Sequence, residues 1–183
     1  HKIFNIMSTV KWSIDPTHSE IAFKVKHMMF TNVTGKFQNF TAEATTEGDH
    51  FENASFEFSA DIDSVATGNA DRDGHLLSPD FFDAANFPKL TFKSTSFVKK
   101  DEGDYILTGE LTIRDITKSV TLAVDFGGTA KDPWGNVKAG FSAEGKLNRK
   151  DFGLTWNAAL ETGGVLVSEE VKLVIDAQFV KQA

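Results

Sequence analysis

Residues 54–83 read Ala54-Ser55-Phe56-Glu57-Phe58-Ser59-Ala60-Asp61-Ile62-Asp63-Ser64-Val65-Ala66-Thr67-Gly68-Asn69-Ala70-Asp71-Arg72-Asp73-Gly74-His75-Leu76-Leu77-Ser78-Pro79-Asp80-Phe81-Phe82-Asp83, and the spacing of the apolar residues changes inside that run. Up to Asp63 the chain alternates, with Ala54, Phe56, Phe58, Ala60 and Ile62 facing one way and Ser55, Glu57, Ser59, Asp61 and Asp63 the other. That is the pattern of a strand buried on one face. Beyond Thr67 the alternation stops. Asn69 is placed to cap a helical turn with Asp71 and Asp73 near its positive end, and Ser78-Pro79-Asp80 repeats the arrangement with proline at the first helical position. Two short helices are therefore expected, the second stopped by Asn86-Phe87-Pro88. A helical interruption in a chain that otherwise alternates reads as the plug or mouth of a β-structure.

The alternation recurs on both sides of this stretch. Upstream, His18–His27 sets Ile21, Phe23 and Val25 against Glu20, Lys24 and Lys26, and ends in the apolar patch Met28-Met29-Phe30. Gly35–Phe40 opens a second strand, in which Phe37 and Phe40 fall out of phase, as at a bulge. Downstream, Leu90–Ser94 resumes the pattern, Asp101-Glu102-Gly103-Asp104 makes a hairpin turn, and Tyr105, Leu107, Gly109, Leu111 and Ile113 share a face. After Arg114–Lys118 come Val120, Leu122, Val124 and Phe126; Gly127-Gly128 and then Asp132-Pro133-Trp134-Gly135-Asn136 mark a longer loop. Val137, Ala139, Phe141, Ala143 and Leu147 alternate again, Asn148–Asp151 leads into Phe152–Trp156 and a loop through Gly163-Gly164, and Val171, Leu173, Ile175, Ala177 and Phe179 form the last strand. Eight such segments joined mostly by short turns pair as an antiparallel meander. Eight strands can close on themselves, which removes exposed edges, and an eight-stranded barrel is about the smallest that encloses a ligand. The expected fold is all-β, an eight-stranded antiparallel barrel with short helices between its central strands. A sandwich has the same periodicity.

Composition bounds what such a barrel does. A chain of 183 residues is one domain by default; residues 1–11 are expected to be a tail, with Met7-Ser8 as the natural start, and 12–183 the barrel. The net charge of -7 argues against nucleic acid or an anionic membrane as partner. Without cysteine the chain has no disulfide, thiol nucleophile or thiolate metal site. No apolar run approaches the ~20 residues of a membrane helix. His1–Met7 is too short for the apolar core of a signal peptide, so a cytoplasmic location is expected, or a periplasmic one if a signal has been removed. Phe 17 against Tyr 1 and Trp 3 is a bias toward aromatic surface with no polar handle, suited to a dry interior.

Little in the sequence points to catalysis. Phosphate loops, His-Glu-x-x-His and Gly-x-Ser-x-Gly are absent. The reactive-looking residues are His18-Ser19, His27 and Asp71-Arg72-Asp73-Gly74-His75. A metal-dependent enzyme would need His18, His27 or His75 to converge with further ligands. The plainer reading pairs Asp71 with His75 along a helix and ties Arg72 to a neighbouring carboxylate such as Asp83. His18 and Ser19, adjacent on a strand, point to opposite faces and make a poor base and nucleophile.

Several segments standing in order carry a resemblance. They are Trp12-x-Ile14-Asp15-x-x-His18-Ser19, Phe23 to His27-Met28-Met29, Gly35-x-Phe37, Ser64 to Thr67-Gly68, Arg72-Asp73-x-His75-Leu76 and Phe81-Phe82-Asp83. After them come Phe87-Pro88-x-x-x-Phe92-x-Ser94, Gly109-x-Leu111-Thr112-Ile113, Arg149-x-Asp151-Phe152-Gly153-x-x-Trp156 and Glu169-x-Val171. From Trp12 to about Phe179 the chain resembles the YceI-like family of lipocalin-type polyisoprenoid-binding proteins. The resemblance implies a lipocalin-like barrel holding a long isoprenoid, such as a quinone tail or polyprenyl lipid. It also implies members in cytoplasm or periplasm, some of them homodimers. Arg114-Asp115 departs from the family, which usually has glycine shortly before the Thr-Lys pair.

The function expected is binding, storage or transport of an isoprenoid lipid without catalysis. The bound lipid is the only non-protein group expected, with no further cofactor and no metal. Phe23, Val25, Phe37, Phe56, Phe58, Leu76, Phe81, Phe92, Leu111, Phe141 and Trp156 are the candidate ligand contacts, each of which could equally be ordinary core. Arg72, Asp73 and His75 are assigned to holding the plug, with a head-group contact as a further role. The rivals are the histidine-metal enzyme and a solid-cored β-protein acting through its surface.

Overall fold

The structure, a computed structural model, describes residues 8–158, 160 and 166–183; Gly163-Gly164 and residues 1–7 lie outside the described residues. Eleven strands form one antiparallel sheet: β1 (Thr9–Ile14), β2 (Glu20–His27), β3 (Thr31–Phe37), β4 (Phe40–Glu47), β5 (His50–Asp61), β6 (Val65–Ala66), β7 (Lys89–Asp101), β8 (Asp104–Ile113), β9 (Ile116–Lys131), β10 (Val137–Asn148) and β11 (Val167–Lys181). They make eight strand lines, because three lines are each broken once. β1 and β2 lie end to end along β11, with Ile14 opposite Phe179 and Glu20 opposite Asp176. β3 and β4 continue one another beside them, and β5 and β6 form the third line. β7 to β11 complete the meander, and the pairing of β11 with β1 and β2 closes the ring. Closure pairs most strands on both sides, and the sandwich alternative is set aside.

Each break has a local cause. Between β1 and β2, Asp15 caps a 3-10 turn at Pro16–His18, its carboxylate accepting from Thr17 N–H at 3.0 Å. The Asp15 N–H donates to Gln178 O at 2.8 Å and Gln178 N–H to Ser19 Oγ at 2.9 Å, so the gap opposite Gln178 is bridged. Between β3 and β4, Gln38-Asn39 turn the chain, and both Phe37 and Phe40 come inside; the phase slip is a strand break rather than a bulge. The bulge lies elsewhere. β9 runs straight through Gly127-Gly128, where a loop is expected, and the register slips so that Gly140 faces Gly128 while Phe141 faces Phe126. Gly128 takes φ 95° there, a conformation open to a residue without Cβ.

The helical stretch yields one helix, not two. α1 (Ala70–Leu77) begins at Asn69, whose side chain accepts from Arg72 N–H at 3.0 Å. After Leu77 the chain curls back: Phe82 N–H donates to Leu76 O and Ala84 N–H to Leu77 O, both at 2.9 Å. These bonds use the orphan carbonyls of the helix end and hold Ser78–Phe82 in turns, so the proline signal at Pro79 starts no helix. β1 also takes in Thr9–Lys11, from the stretch read as a tail.

The interior divides along the barrel axis. At the end of the β4–β5 and β7–β8 hairpins, Trp12, Phe51, Phe97, Tyr105, Phe126, Phe141 and Phe179 pack together, with Phe97 stacked on Tyr105 at 4.5 Å and Phe126 on Phe141 at 4.8 Å. Trp12 is fully buried and donates its indole N–H to Thr46 Oγ1 at 2.9 Å, which satisfies its one polar atom. This end is sealed. The other end is covered by α1 and the turns on either side of it, over a second cluster containing Phe37, Phe40, Ile62, Phe81, Leu111, Phe152 and Leu154.

Candidate functional site

Between the aromatic seal and α1 lies a cavity of about 600 Å³. Alternation builds it: every strand line turns one face inward, and the inward faces of β2, β5, β8, β9, β10 and β11 meet around one lumen. Phe23 and Val25 contribute from β2, Phe37 from β3, Phe56 and Phe58 from β5, Phe92 from β7, Leu111 from β8 and Phe141 from β10. Leu76 comes from α1, Phe81 from the turn after it and Trp156 from the segment following β10. All eleven residues singled out in the sequence thus border the same space. Several, including Phe23, Phe56, Phe58 and Phe92, are only half-buried although they point inward, because the lumen they face is not filled by side chains. Sequence reading left out the further wall residues Leu107, Leu122, Ala143, Leu173 and Ile175. Their signal was present, since each lies on an alternating apolar face of the sequence: Leu107 with Leu111, Ala143 with Phe141, and Leu122, Leu173 and Ile175 on β9 and β11, two strands from which no residue was chosen.

Polar groups gather at the α1 end, where His27, Thr67, Asp71, Arg72, His75 and Arg149 border the space; Lys26 reaches it only along its strand, its side chain being exposed on the outer face. The expected pairs of Arg72 with Asp83 and of Asp71 with His75 do not form. Arg72 turns back to the strand it follows, Nε donating to Thr67 Oγ1 and Nη2 to Thr67 O, both at 2.7 Å. Asp73 accepts from Thr67 N–H at 2.9 Å. Thr67 so clamps α1 to the end of β6 through two side chains on one helical turn, which is how the plug is held. His75 Nε2 meets Asp80 Oδ2 at 2.9 Å, and its ring stands edge-on to Trp156 and Phe81, 4.8 and 5.1 Å away. The turn after α1 presents Asp80 to that nitrogen, whereas Asp71 is four residues back on the helix. Asp83 is buried and accepts from Asn86 Nδ2 at 2.9 Å, which closes its own turn.

Arg149, missed as a candidate, is 3% exposed. Its guanidinium donates to four carbonyl oxygens, of Ser168 at 2.8 Å, Leu154 at 2.7 Å, Trp156 at 2.8 Å and Val167 at 3.2 Å. Burial pulls its pKa down from the usual range, opposed by the charge of Glu169. This one side chain holds the segment after β10 against the start of β11 and fixes where Trp156 meets the cavity. Only the family resemblance marked it. Arg114 occupies a two-residue turn between β8 and β9 at φ 58°, where a residue lacking Cβ is favoured. Its side chain reaches the carbonyls of Phe81 and Gly153 at 3.5 Å and lies 5.7 Å from the Phe87 ring, tying the plug to the wall.

The three histidines of the metal alternative are placed apart in role. His18 is outside the lumen and bonds Asp15 at 2.8 Å; His27 and His75 border the cavity. Among the described residues, no three His, Asp or Glu side chains gather in a way that could hold a metal ion. Among them, too, no helix is long and apolar enough to cross a membrane.

Known proteins similar to this chain are numerous. A protein of Staphylococcus epidermidis named UPF0312 is 38% identical over 172 residues, covering 92% of this chain and 96% of its own. The crystal structure of a Campylobacter jejuni YceI protein superposes with a TM-score of 0.76 at 32% identity, covering 86% of this chain and 90% of the other. A polyisoprenoid-binding domain from Saccharophagus degradans shares the fold, at a TM-score of 0.62 and 15% identity over 93% of this chain and 98% of the domain. The family model for a YceI-like domain matches residues 12–179. With the closed barrel, its plug and these relatives in agreement, the chain belongs to the YceI-like family.

Proposed function

We infer that this protein binds a long apolar lipid in its lumen, an isoprenoid such as a quinone or polyprenyl lipid, and stores or carries it without chemical change. The observation that carries the reading is the cavity itself: about 600 Å³ of space walled mainly by Phe, Leu, Val and Ile, with most of its polar lining residues at the α1 end. Its size falls in the ~300–1,000 Å³ range of small-molecule sites. Such a wall supplies dispersion and excludes water but offers no nucleophile or base along its length. Each CH₂ of a guest moved from water into it contributes about 0.8 kcal/mol before ordering costs, so affinity is tuned by chain length. A head group would rest at the α1 end beside Arg72 and His75. Phe23, Val25, Phe37, Phe56, Phe58, Leu76, Phe81, Phe92, Leu111, Phe141 and Trp156 are the proposed contacts. That a domain sharing this fold is a polyisoprenoid-binding one supports the guest class.

The test is mass spectrometry of an organic-solvent extract of the purified protein, beside native mass spectrometry of the intact complex. A stoichiometric isoprenoid is expected. A bare chain, unchanged after incubation with quinones of several tail lengths, would overturn the reading.

A further inference from the structure

The tip of the β2–β3 hairpin is built against two local preferences at once. Met28, Met29 and Phe30 are 47%, 55% and 85% exposed, three apolar side chains in a row. Met28 and Met29 also take φ 54° and 67°, with Phe30 N–H donating to His27 O at 3.3 Å. Positive φ at both central positions of the turn His27–Phe30, within a three-residue connection, favours Asn and Gly and disfavours other residues with a Cβ. Folding alone would select a polar, glycine-containing turn here. What occupies it is the most apolar exposed segment among the described residues.

Its position gives that choice a use. His27 pairs with Val167 across β2 and β11, and both border the cavity. Met28 N–H donates to the carbonyl of Leu166, another cavity residue, at 2.7 Å. The tip is thus an extension of the cavity rim. Behind it, Lys24 and Lys26 are exposed on the outer face of β2, and Lys172 stands opposite Lys24 on β11. Among the described residues none of these three has a carboxylate within 4.0 Å, whereas the next lysine in the row, Lys146, is paired with Glu170 at 3.8 Å. Apolar side chains at a tip, with unneutralised lysines set back from it, complement a bilayer whose surface carries anionic head groups over an apolar interior. The net charge of -7 does not prevent this, because charges more than about 8 Å away are largely screened at physiological salt.

We propose that the Met28–Phe30 tip inserts into the surface of a lipid bilayer, with Lys24, Lys26 and Lys172 facing anionic head groups, and so sets the cavity rim against the membrane. That the docked rim then exchanges an apolar guest rests on the function proposed above; insertion itself does not.

The experiment is co-sedimentation of the full chain with vesicles of mixed phosphatidylcholine and phosphatidylserine, and with pure phosphatidylcholine. The triple variant Met28→Asn, Met29→Gly, Phe30→Ser is expected to lose vesicle affinity by more than about tenfold, given the apolar surface removed, while its thermal midpoint rises because the turn is relieved. A tip that merely packs in the fold predicts the reverse, a lower midpoint. Lys24→Gln and Lys172→Gln should each weaken binding to the anionic vesicles roughly fivefold, with little change on pure phosphatidylcholine. Because the chain lacks cysteine, Phe30→Cys accepts a single polarity-sensitive dye whose emission should shift to the blue on adding vesicles. The same dye at Trp134→Cys, 83% exposed at the opposite end of the barrel, should not respond. Wild-type protein remaining in the supernatant overturns the proposal. So does a dye at residue 30 that shifts with protein concentration and not with vesicles, which would make the tip a contact between two copies. Extracting lipid from the same samples separates the two readings, since vesicle binding by a chain that never retains a guest keeps insertion and removes the carrier role.

Discussion

Gly109 lies beneath the ring of Phe92: a Cβ there would come within 2.3 Å of Phe92 Cζ and 2.6 Å of the Lys93 carbonyl oxygen. Gly35 is covered in the same way by Phe23, with Cζ at 2.3 Å. Two aromatic side chains that border the lumen therefore lie flat on glycine instead of standing into the space. Gly109→Ala must lift the Phe92 ring or move the β7 backbone, and should cost about 1–3 kcal/mol, the range of an overpacked core, read as a lower urea midpoint. Gly74 is the counter-case. A Cβ added to it meets nothing within 4 Å, so Gly74→Ala should stabilise the protein by roughly 1 kcal/mol through better helix propensity, seen as a higher thermal midpoint. Ala143, buried and on the cavity wall, distinguishes a lumen from a solid core. Ala143→Leu should displace guest while changing stability by less than about 1.5 kcal/mol, because the added methylenes enter open space; a solid core would instead suffer the overpacking cost. At this scale the sequence shows Gly109 only as an inward position without a side chain. The ring that needs its absence comes from the neighbouring strand.

Arg149 and Asp15 work on whole elements. With Arg149→Ala, four carbonyls lose their shared donor in a buried site, and leaving even one buried acceptor unpaired costs about 1–3 kcal/mol. A loss of on the order of 3 kcal/mol is expected, together with faster amide hydrogen exchange confined to the start of β11 and the segment before it. Asp15 joins the two halves of the first strand line. Hydrogen bonds from the Thr17 hydroxyl and then from His18 hold its carboxyl down from 3.8 to about 2. A depressed folded-state pKa contributes stability above the unfolded value, and this is lost as pH falls from 3.8 toward 2. Asp15→Ala should therefore cost about 1 kcal/mol at neutral pH, as for a lost cap, and the gap from wild type should narrow between pH 4 and 2 in an acid-unfolding series. Element by element, the strands were legible because alternation is a local property. The second helix was not: Ser78-Pro79-Asp80 is a sound start signal, but the carbonyls at the end of α1 compete for the same backbone and win.

At the scale of the molecule, a sealed end, an open lumen and a plugged end enclose a space, and under the proposed function the guest that fills it stabilises the fold. Stripping the guest should lower the thermal midpoint, and adding it back should raise the midpoint with concentration, as binding to the folded state alone requires; a midpoint indifferent to added lipid would speak against a lumen-bound guest. The sequence by itself determined the class of fold, the number of strand lines and the inward face of most of them, since the period of two that buries a residue is written along the chain; the line of β3 and β4 is the exception, its two halves being out of phase. Its ordered segments also carried the family resemblance. Tertiary structure alone decided that the lines close, that three of them break and where Arg72, His75 and Arg149 find their partners. It also decided that the inward faces leave space instead of filling it. The physical reason is the same throughout: periodicity reports direction, whereas closure, pairing and enclosed volume depend on distances between residues far apart in sequence.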